Sequence, residues 1–154
     1  STDVTCHGDC DGGAKVLASG GVGGYSYKWS TSPNQTTDTA KNLCANTYTV
    51  TVKDDSACEV TTSVTIHENP PVSANISDST MVSCNGNCDG DATVSASGGT
   101  NSFSYLWSNL DTTIKSDSLC AGNYSVTVTD DNGCQDSANV TITENPPLTI
   151  SISS

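Results

Sequence analysis

The sequence contains no arginine and only five lysines, against 17 aspartate and glutamate residues in a chain of 154. The formal net charge is therefore −12. Because binding to a phosphate backbone needs clustered positive charge, this balance argues against a nucleic-acid-binding protein. Charged residues make up only 14% of the chain, which is below the roughly 25% of a typical soluble domain. Serine and threonine fill the gap.

Long apolar runs and catalytic motifs are also missing. No run of 18 apolar residues is present, so the sequence predicts no membrane span. It has no glycine-rich phosphate loop, zinc motif or nucleophile elbow. The only histidines, His7 and His67, are replaced by Asn85 and Thr143 at the matching places of an internal repeat, which favours surface histidines over a catalytic pair. We therefore predict that the protein is not an enzyme and has no cofactor. There is no signal peptide, so we expect a mature form or an excerpt.

The sequence does contain one unit that occurs twice. The run YSVTVTDDNGC from Tyr124 to Cys134 appears earlier as YTVTVKDDSAC from Tyr48 to Cys58. We therefore predict two domains, at residues 1–70 and 71–147. A domain of this size buries only about 60% of its unfolded surface, so covalent cross-links are expected.

The eight cysteines, four in each copy, meet that need. Zinc sites usually show two close pairs of Cys or His, whereas each copy has one Cys-x3-Cys pair and two scattered cysteines. The pattern favours two disulfides per domain, and disulfides place the protein outside the cytoplasm. We expect an extracellular or cell-surface location.

Short alternating segments and turn residues predict an all-β fold. No stretch has helical periodicity, and about seven short strands per copy with a paired-cysteine framework favour two tandem immunoglobulin-like β-sandwich domains. Asn46 and Gly122 predict a left-handed turn before Tyr48 and Tyr124, whose side chains are expected to anchor a tyrosine corner.

Aromatic residues alternate along one strand of each copy. They are Tyr25, Tyr27 and Trp29 in the first copy, and Phe103, Tyr105 and Trp107 in the second. Such a row suits either a hydrophobic core or a platform for binding carbohydrate. The core is favoured because each copy has few other large side chains.

Acidic residues cluster in the turn that follows the Tyr-x-Val-x-Val strand. They are Asp54 and Asp55 in the first copy and Asp130 and Asp131 in the second. Loop carboxylates suit calcium, but aspartate also caps turns through its own side chain, and this second interpretation is favoured. Calcium is therefore expected to be dispensable for folding.

Four segments together resemble a known family. The segments CDGDATVSASGG, FSYLWS, LCAGNYSVTVTDDNGC and VTITENPP are similar to the SprB repeat, which occurs in very large surface proteins of gliding and related Bacteroidota. The resemblance covers both copies and implies a secreted, adhesin-like or filamentous protein built from many such domains.

The resemblance also implies a disulfide pairing. Many repeats of this family contain only the first and last cysteines of this set, which suggests Cys6 with Cys58 and Cys84 with Cys134. The remaining bridges are then Cys10 with Cys44 and Cys88 with Cys120. Four cysteines allow three connectivities, and the sequence alone does not choose among them.

Six places match the Bacteroidota O-glycosylation pattern, in which Asp precedes Ser or Thr and then a small or aliphatic residue. The hydroxyl residues are Thr39, Ser56, Ser79, Thr112, Ser118 and Ser137. We expect some modification there. Thr39, Thr112 and Ser118 are predicted to lie in polar loops and to be the most accessible.

The two ends of the chain are complementary in pattern. The second copy begins with PPVSANISDSTMVSC, and joining the final PPLTISISS to the initial STDVTC restores that pattern. Residues 148–154, with Leu148, Ile150 and Ile152 alternating, are therefore expected to complete the first domain of a next unit. This assembly would occur along one polypeptide or by strand donation between chains.

The predicted function is a structural repeat segment of an extracellular filament or cell-surface adhesin stalk, with itself as head-to-tail partner. The alternative is an adhesion module that binds carbohydrate, such as a surface polysaccharide, or calcium.

Overall fold

The computed structural model describes residues 1–100 and 102–152, and every regular element among them is a β-strand. The chain divides into two compact units, Ser1–Pro70 and Pro71–Ser154. We describe each unit by itself.

The first unit has five strands in two sheets. The strands are β1 (Gly12–Lys15), β2 (Tyr25–Trp29), β3 (Thr39–Leu43), β4 (Asn46–Asp54) and β5 (Glu59–Ile66). β1 pairs with β3, and β4 lies between β2 and β5, all antiparallel. Outside these strands, Thr2 forms an isolated antiparallel bridge with Gly13 of β1.

The second unit has the same plan with one more strand. Its strands are β6 (Ser73–Thr80), β7 (Gly90–Ser97), β8 (Phe103–Trp107), β9 (Lys115–Leu119), β10 (Gly122–Asp130) and β11 (Gln135–Ile142). The sheets have the orders β6-β7-β9 and β11-β10-β8. The sequence predicts about seven strands per copy, whereas the described residues form five and six.

Each unit has one hydrophobic core, to which both of its sheets contribute. Trp29 and Trp107 are each only 1% exposed, and their indole nitrogens donate to the carbonyls of Thr37 and Thr113. The buried indole therefore has a partner for its polar atom, as burial of a donor requires. Each tryptophan lies at the end of an alternating strand, whose period of two points it inward.

A tyrosine corner is present in both units. The hydroxyl of Tyr48 donates to the carbonyl of Cys44 at 3.1 Å, and that of Tyr124 donates to Cys120 at 3.2 Å. The predicted left-handed turn at Asn46 and Gly122 is wrong, because both residues already belong to strands. The positive φ angles occur earlier, at Asn42 and Ser118.

Each unit contains a disulfide at the matching place. These disulfides link Cys10 to Cys44 and Cys88 to Cys120. Each bridge closes a loop of more than 30 residues across the unit, which in the chain-entropy picture stabilises it by about 3–4 kcal/mol.

The implied pairs Cys6–Cys58 and Cys84–Cys134 are wrong. Cys58 and Cys84 are exposed free thiols, while Cys6 and Cys134 are disulfide-bonded. In the first unit, Val4 donates to the carbonyl of His67, so the Cys6 segment lies beyond the C-terminal end of β5.

Cys58 immediately precedes the other end of β5. Eight residues of strand span about 26 Å, whereas the Cα atoms of a disulfide lie about 4.4–6.8 Å apart. In the second unit, Val82 donates to the carbonyl of Thr143, which lies beyond the C-terminal end of β11. Cys134 immediately precedes the other end of β11, so Cys84 and Cys134 are separated in the same way. The implied pairs would therefore join opposite ends of a strand.

Candidate functional site

The first unit contains an open apolar groove of about 320 Å³ beside β1. We call it the acceptor groove. Its lining includes Val16, Ala18, Gly21, Tyr25, Val52, Asp54, Cys58, Val60 and Thr62. Val60 is 72% exposed although it belongs to a strand of the sandwich. A strand edge with exposed apolar side chains is a place where proteins add a further strand.

The second unit has strand β6 in this place. β6 pairs antiparallel with β7, with Ala74 opposite Ala96 and Ile76 opposite Val94. Val72 and Ala74 are buried, and Ile76 is partly buried against the same core. β7 is the counterpart of β1, so the second unit shows how the groove of the first is filled.

Covering by β6 changes the burial of matched residues. Val94 and Val128 are buried in the second unit, whereas their counterparts Val16 and Val52 are only partly buried in the first. Removal of apolar surface from water contributes about 25 cal/mol per Å². The first unit therefore still has stabilisation to gain from a covering strand.

The two glycine turns show the vacant position directly. Val72 packs so closely on Gly99 that a β-carbon there would lie 2.8 Å from its Cγ2. At the matching Gly21, the three nearest atoms to such a β-carbon all belong to Asp54. An apolar side chain equivalent to Val72 is thus what this end of the groove lacks.

Residues 148–152, which we call the donor segment, have the complementary pattern. Leu148, Ile150 and Ile152 are 97%, 92% and 98% exposed, and none of them belongs to a strand. In the sequence they stand where Val72, Ala74 and Ile76 stand before the second unit. Residues 153 and 154, also part of the predicted assembly strand, lie outside the described residues.

One difference between the copies was missed by sequence reasoning. Asp136 in β11 accepts a hydrogen bond from the backbone of Ala74 at 2.8 Å, and this bond lowers the pKa of its carboxyl. The matching residue of the first unit is Val60, which offers apolar surface instead. The larger Ile150 in place of Ala74 suits that change. The available signal was Val60 itself, which continues the alternation of Val64 and Ile66 along the strand EVTTSVTI.

The acidic turns act as hydrogen-bond acceptors for their own loops. Asp54 accepts from the amides of Ser56 and Cys58 at 2.9 Å and from Val22 at 3.0 Å. These bonds, that from Cys58 foremost, hold the pKa of the Asp54 carboxyl below its usual range. Asp55 accepts from Gly24.

The second acidic turn repeats this geometry. Asp130 accepts from Asn132, Cys134 and Thr100. Burial raises the pKa of its carboxyl, but the bonds from Thr100 and Cys134 lower it by more. Asp131 accepts a long bond of 3.5 Å from Ser102. Among the described residues, no group of three or more His, Cys, Asp or Glu side chains is arranged to hold a metal ion.

We expect chelation of calcium to leave thermal stability unchanged. Both carboxylate oxygens of Asp54 and of Asp130 already accept backbone donors, so a cation would have to displace these bonds. Thermal scans with excess chelator and with added calcium should agree within about 2 °C. A fall of more than about 10 °C on chelation, with recovery on adding calcium, would reveal a tightly held ion and overturn the turn-cap interpretation.

The aromatic rows belong mainly to the cores. Tyr27 and Tyr105, two residues before the buried tryptophans, pack against the core of their own unit, and so does Phe103. Tyr25 lines the acceptor groove and donates through its hydroxyl to the carbonyl of Gly20. These contacts favour packing over a carbohydrate platform.

The predicted glycosylation residues lie at several places on the strands and turns. Ser56, Ser79, Thr112, Ser118 and Ser137 are exposed. Thr39 is half-buried at the start of β3, and its hydroxyl donates to Asp38. The expectation that Thr39 and Ser118 lie in loops is wrong, since both belong to strands. Their modification stays a prediction.

The two histidines lie at the surface, each beside a carboxylate. His7 is 3.3 Å from Glu68, and His67 is 3.5 Å from Asp3. The geometry of both is that of a surface histidine in contact with a carboxylate.

Two packed sheets per unit around a buried tryptophan and a tyrosine corner define an immunoglobulin-like β-sandwich protein. The sequence model of the SprB repeat matches residues 1–34 and 76–112, the same part of each copy. The resemblance of both copies to the SprB repeat is therefore confirmed.

A solved structure shows the same fold. The chain is similar to the three N-terminal domains of the bacteriophage RB49 Highly Immunogenic Outer Capsid protein (Hoc), with 20% identity and a TM-score of 0.52. The match covers 90% of this chain and 55% of that one. The N-terminal eight Ig domains of Down Syndrome Cell Adhesion Molecule isoform 1.30.30 also match, at 13% identity over 78% of this chain and 19% of that one, with a TM-score of 0.35.

At such identities the likeness concerns the fold alone. No curated protein matches the chain. In the described part of the chain, no helix has the length and apolar character needed to cross a membrane.

Proposed function

We propose that the chain is a structural segment of an extracellular filament or cell-surface adhesin stalk, whose units join head to tail. In this assembly the donor segment of one unit fills the acceptor groove of the next. The observation that carries the proposal is that β6 covers the groove in the second unit, whereas the matching groove of the first unit is open.

The pairing of β6 with β7 gives the register expected for the donor segment in the acceptor groove. By analogy with β6, Ile150 would lie opposite Ala18 and Ile152 opposite Val16, and Leu148 would pack on Gly21. This arrangement would pair the segment 16–18 that follows β1 and continue the strand toward Thr2, which already bridges Gly13 of β1. The added strand would follow the β-augmentation mode of recognition.

The energetics favour a stable junction. Burying each of three large aliphatic side chains contributes about 1.5–3 kcal/mol. Their sum of about 5–9 kcal/mol, with backbone hydrogen bonds in addition, must exceed the cost of association and of ordering the segment. A dissociation constant in the micromolar range corresponds to about −8 kcal/mol and is within reach of these terms.

Truncation tests the proposal. The full chain should form polymers whose length grows with concentration, measured by light scattering and negative-stain microscopy. A chain ending at Asn145 keeps both folded units but lacks the donor segment, and it should stay monomeric. A synthetic peptide of residues 146–152 should raise its melting temperature in a concentration-dependent way, because the peptide binds the folded state alone.

Two results would contradict head-to-tail assembly. One is a full chain that stays monomeric at high micromolar concentration. The other is a peptide that leaves the melting temperature of the truncated chain unchanged.

A further inference from the structure

The two free thiols lie on opposite sides of the proposed junction, one on each partner. Cys58 is exposed in the turn between β4 and β5 and lines the acceptor groove. Cys84 is exposed in the loop that precedes Cys88 in the second unit. One thiol thus belongs to the accepting unit, and the other belongs to the unit from which the donor segment leaves.

The Cys84 loop is fixed beside the root of the donor segment. Asn85 donates through its side-chain amide to the carbonyl of Asn145 at 3.2 Å, and Gly86 donates to the carboxylate of Glu144 at 2.9 Å. Leu148 follows Asn145 by three residues, which span at most about 10 Å of extended chain. Cys84 therefore stays close to the point where the donor segment begins.

Cys58 lies at the end of the groove where the donor would enter. The amide of Cys58 donates to Asp54, and Asp54 is the side chain that borders the vacant position at Gly21. A donor seated like β6 places Leu148 at this position. Cys84 of the donating copy and Cys58 of the accepting copy then lie at the same end of the groove. The stretch from Asn145 to Leu148 between them spans at most about 10 Å, so loop adjustments can bring the two sulfur atoms to disulfide distance.

Both positions are compatible with disulfide formation in this chain. Cys6 is the counterpart of Cys84, and Cys134 is the counterpart of Cys58. Both counterparts are disulfide-bonded, whereas Cys58 and Cys84 are free. Cys58 and Cys84 therefore stand at positions whose counterparts in the other unit are disulfide-bonded.

We infer that Cys84 of one copy and Cys58 of the next form an intermolecular disulfide that covalently locks each head-to-tail junction. The inference rests on the proposed function, since the donor segment brings the two thiols together. The oxidant is a small-molecule or protein disulfide. Two thiols and one disulfide give the new Cys84–Cys58 bond and two thiols of the reduced oxidant, through a mixed disulfide.

Single-cysteine variants test the direction of the link. In a glutathione redox buffer the unaltered chain should give a ladder of oligomers on non-reducing gels, which collapses to monomer on reduction. On the same non-reducing denaturing gels, Cys58→Ser and Cys84→Ser should each run only as a monomer. Mixed together, they should give a dimer and no higher species, since one retains only Cys84 and the other only Cys58. The dimer should yield one cross-linked peptide that contains both cysteines.

The single variant Cys84→Ser separates the two proposals, because Cys84 is not part of the groove lining. It should still polymerise in light scattering without any covalent ladder. If it polymerises while the unaltered chain gives no ladder, the disulfide is overturned and the head-to-tail contact stands.

If neither chain associates, both proposals fail. An unaltered chain that loses its free thiols yet remains monomeric has joined Cys58 to Cys84 internally, and this too overturns the intermolecular bond. Equal mixtures of ¹⁴N- and ¹⁵N-labelled chain distinguish the cases, because an intermolecular bond gives peptides of mixed label.

Discussion

Replacement of Ile150 by aspartate is expected to weaken self-association by at least about 100-fold. The position corresponds to Ala74 of β6, which is buried in the second unit. In the groove, the substitution loses the burial of an aliphatic side chain and places a carboxylate beside the apolar Val60. A loss of about 3 kcal/mol corresponds to roughly a 100-fold change in the dissociation constant. Analytical ultracentrifugation of the variant over a range of concentrations measures it.

Ser151→Asp is the matched control, because it adds the same charge one residue away. Ser151 corresponds to Asn75, which is exposed on the outer face of β6. Successive side chains of a strand point to opposite faces, so this variant should associate within about threefold of the unaltered chain. Equal losses in the two variants would indicate a contact that depends on charge rather than on strand insertion.

Removal of the disulfide between Cys88 and Cys120 is expected to destabilise the second unit by about 3–4 kcal/mol. The bond closes a loop with a sequence separation of 32, and its loss frees the unfolded chain more than the folded one. For a unit of this size, the melting temperature should fall by about 15–30 °C. Differential scanning calorimetry of Cys88→Ser/Cys120→Ser, in the chain ending at Asn145, measures the change.

Cys58→Ser/Cys84→Ser serves as control, since it removes the same number of sulfur atoms from exposed, unbonded positions. In the truncated chain its melting temperature should change by no more than about 2 °C. A similar fall in both double variants would mean that the thiols, rather than the cross-link, determine stability.

The sequence predicted those parts of the fold that depend on local pattern. The alternation of Tyr124, Val126 and Val128 determines which face of β10 is buried, and the strand has that face inward. The tryptophans and the tyrosine corners followed in the same way, because one residue type at a fixed place in a strand has few ways to satisfy its polar atom.

The cysteine pairing could not be obtained in this way. It depends on which end of a strand each loop occupies, and that follows from the topology of the two sheets. Cys6 and Cys58 are separated by the whole length of β5, a distance that the order of cysteines in the sequence does not express. The resemblance to repeats with fewer cysteines pointed to a pairing within one unit, which this geometry forbids.

The sequence predicted one of the two parts of the candidate site, the donor segment, but not the acceptor groove. The alternation of Leu148, Ile150 and Ile152 is enough by itself to mark the donor segment. The groove is not visible in the sequence, because its lining comes from three strands and a glycine turn that meet only in the folded unit. The exchange of Asp136 for Val60 between the copies becomes informative once Ala74 is seen to need a hydrogen-bond acceptor.

The covered groove of the second unit also determines what kind of polymer the proposed assembly would give. Because β6 belongs to the same chain and is held by Asp136, that groove is closed to any other strand. Within the described residues, each copy then offers a single acceptor and a single donor. Monomers with a valence of two add only at the two ends of a growing polymer. The proposed polymer would therefore be linear and unbranched, with a polarity that every copy shares.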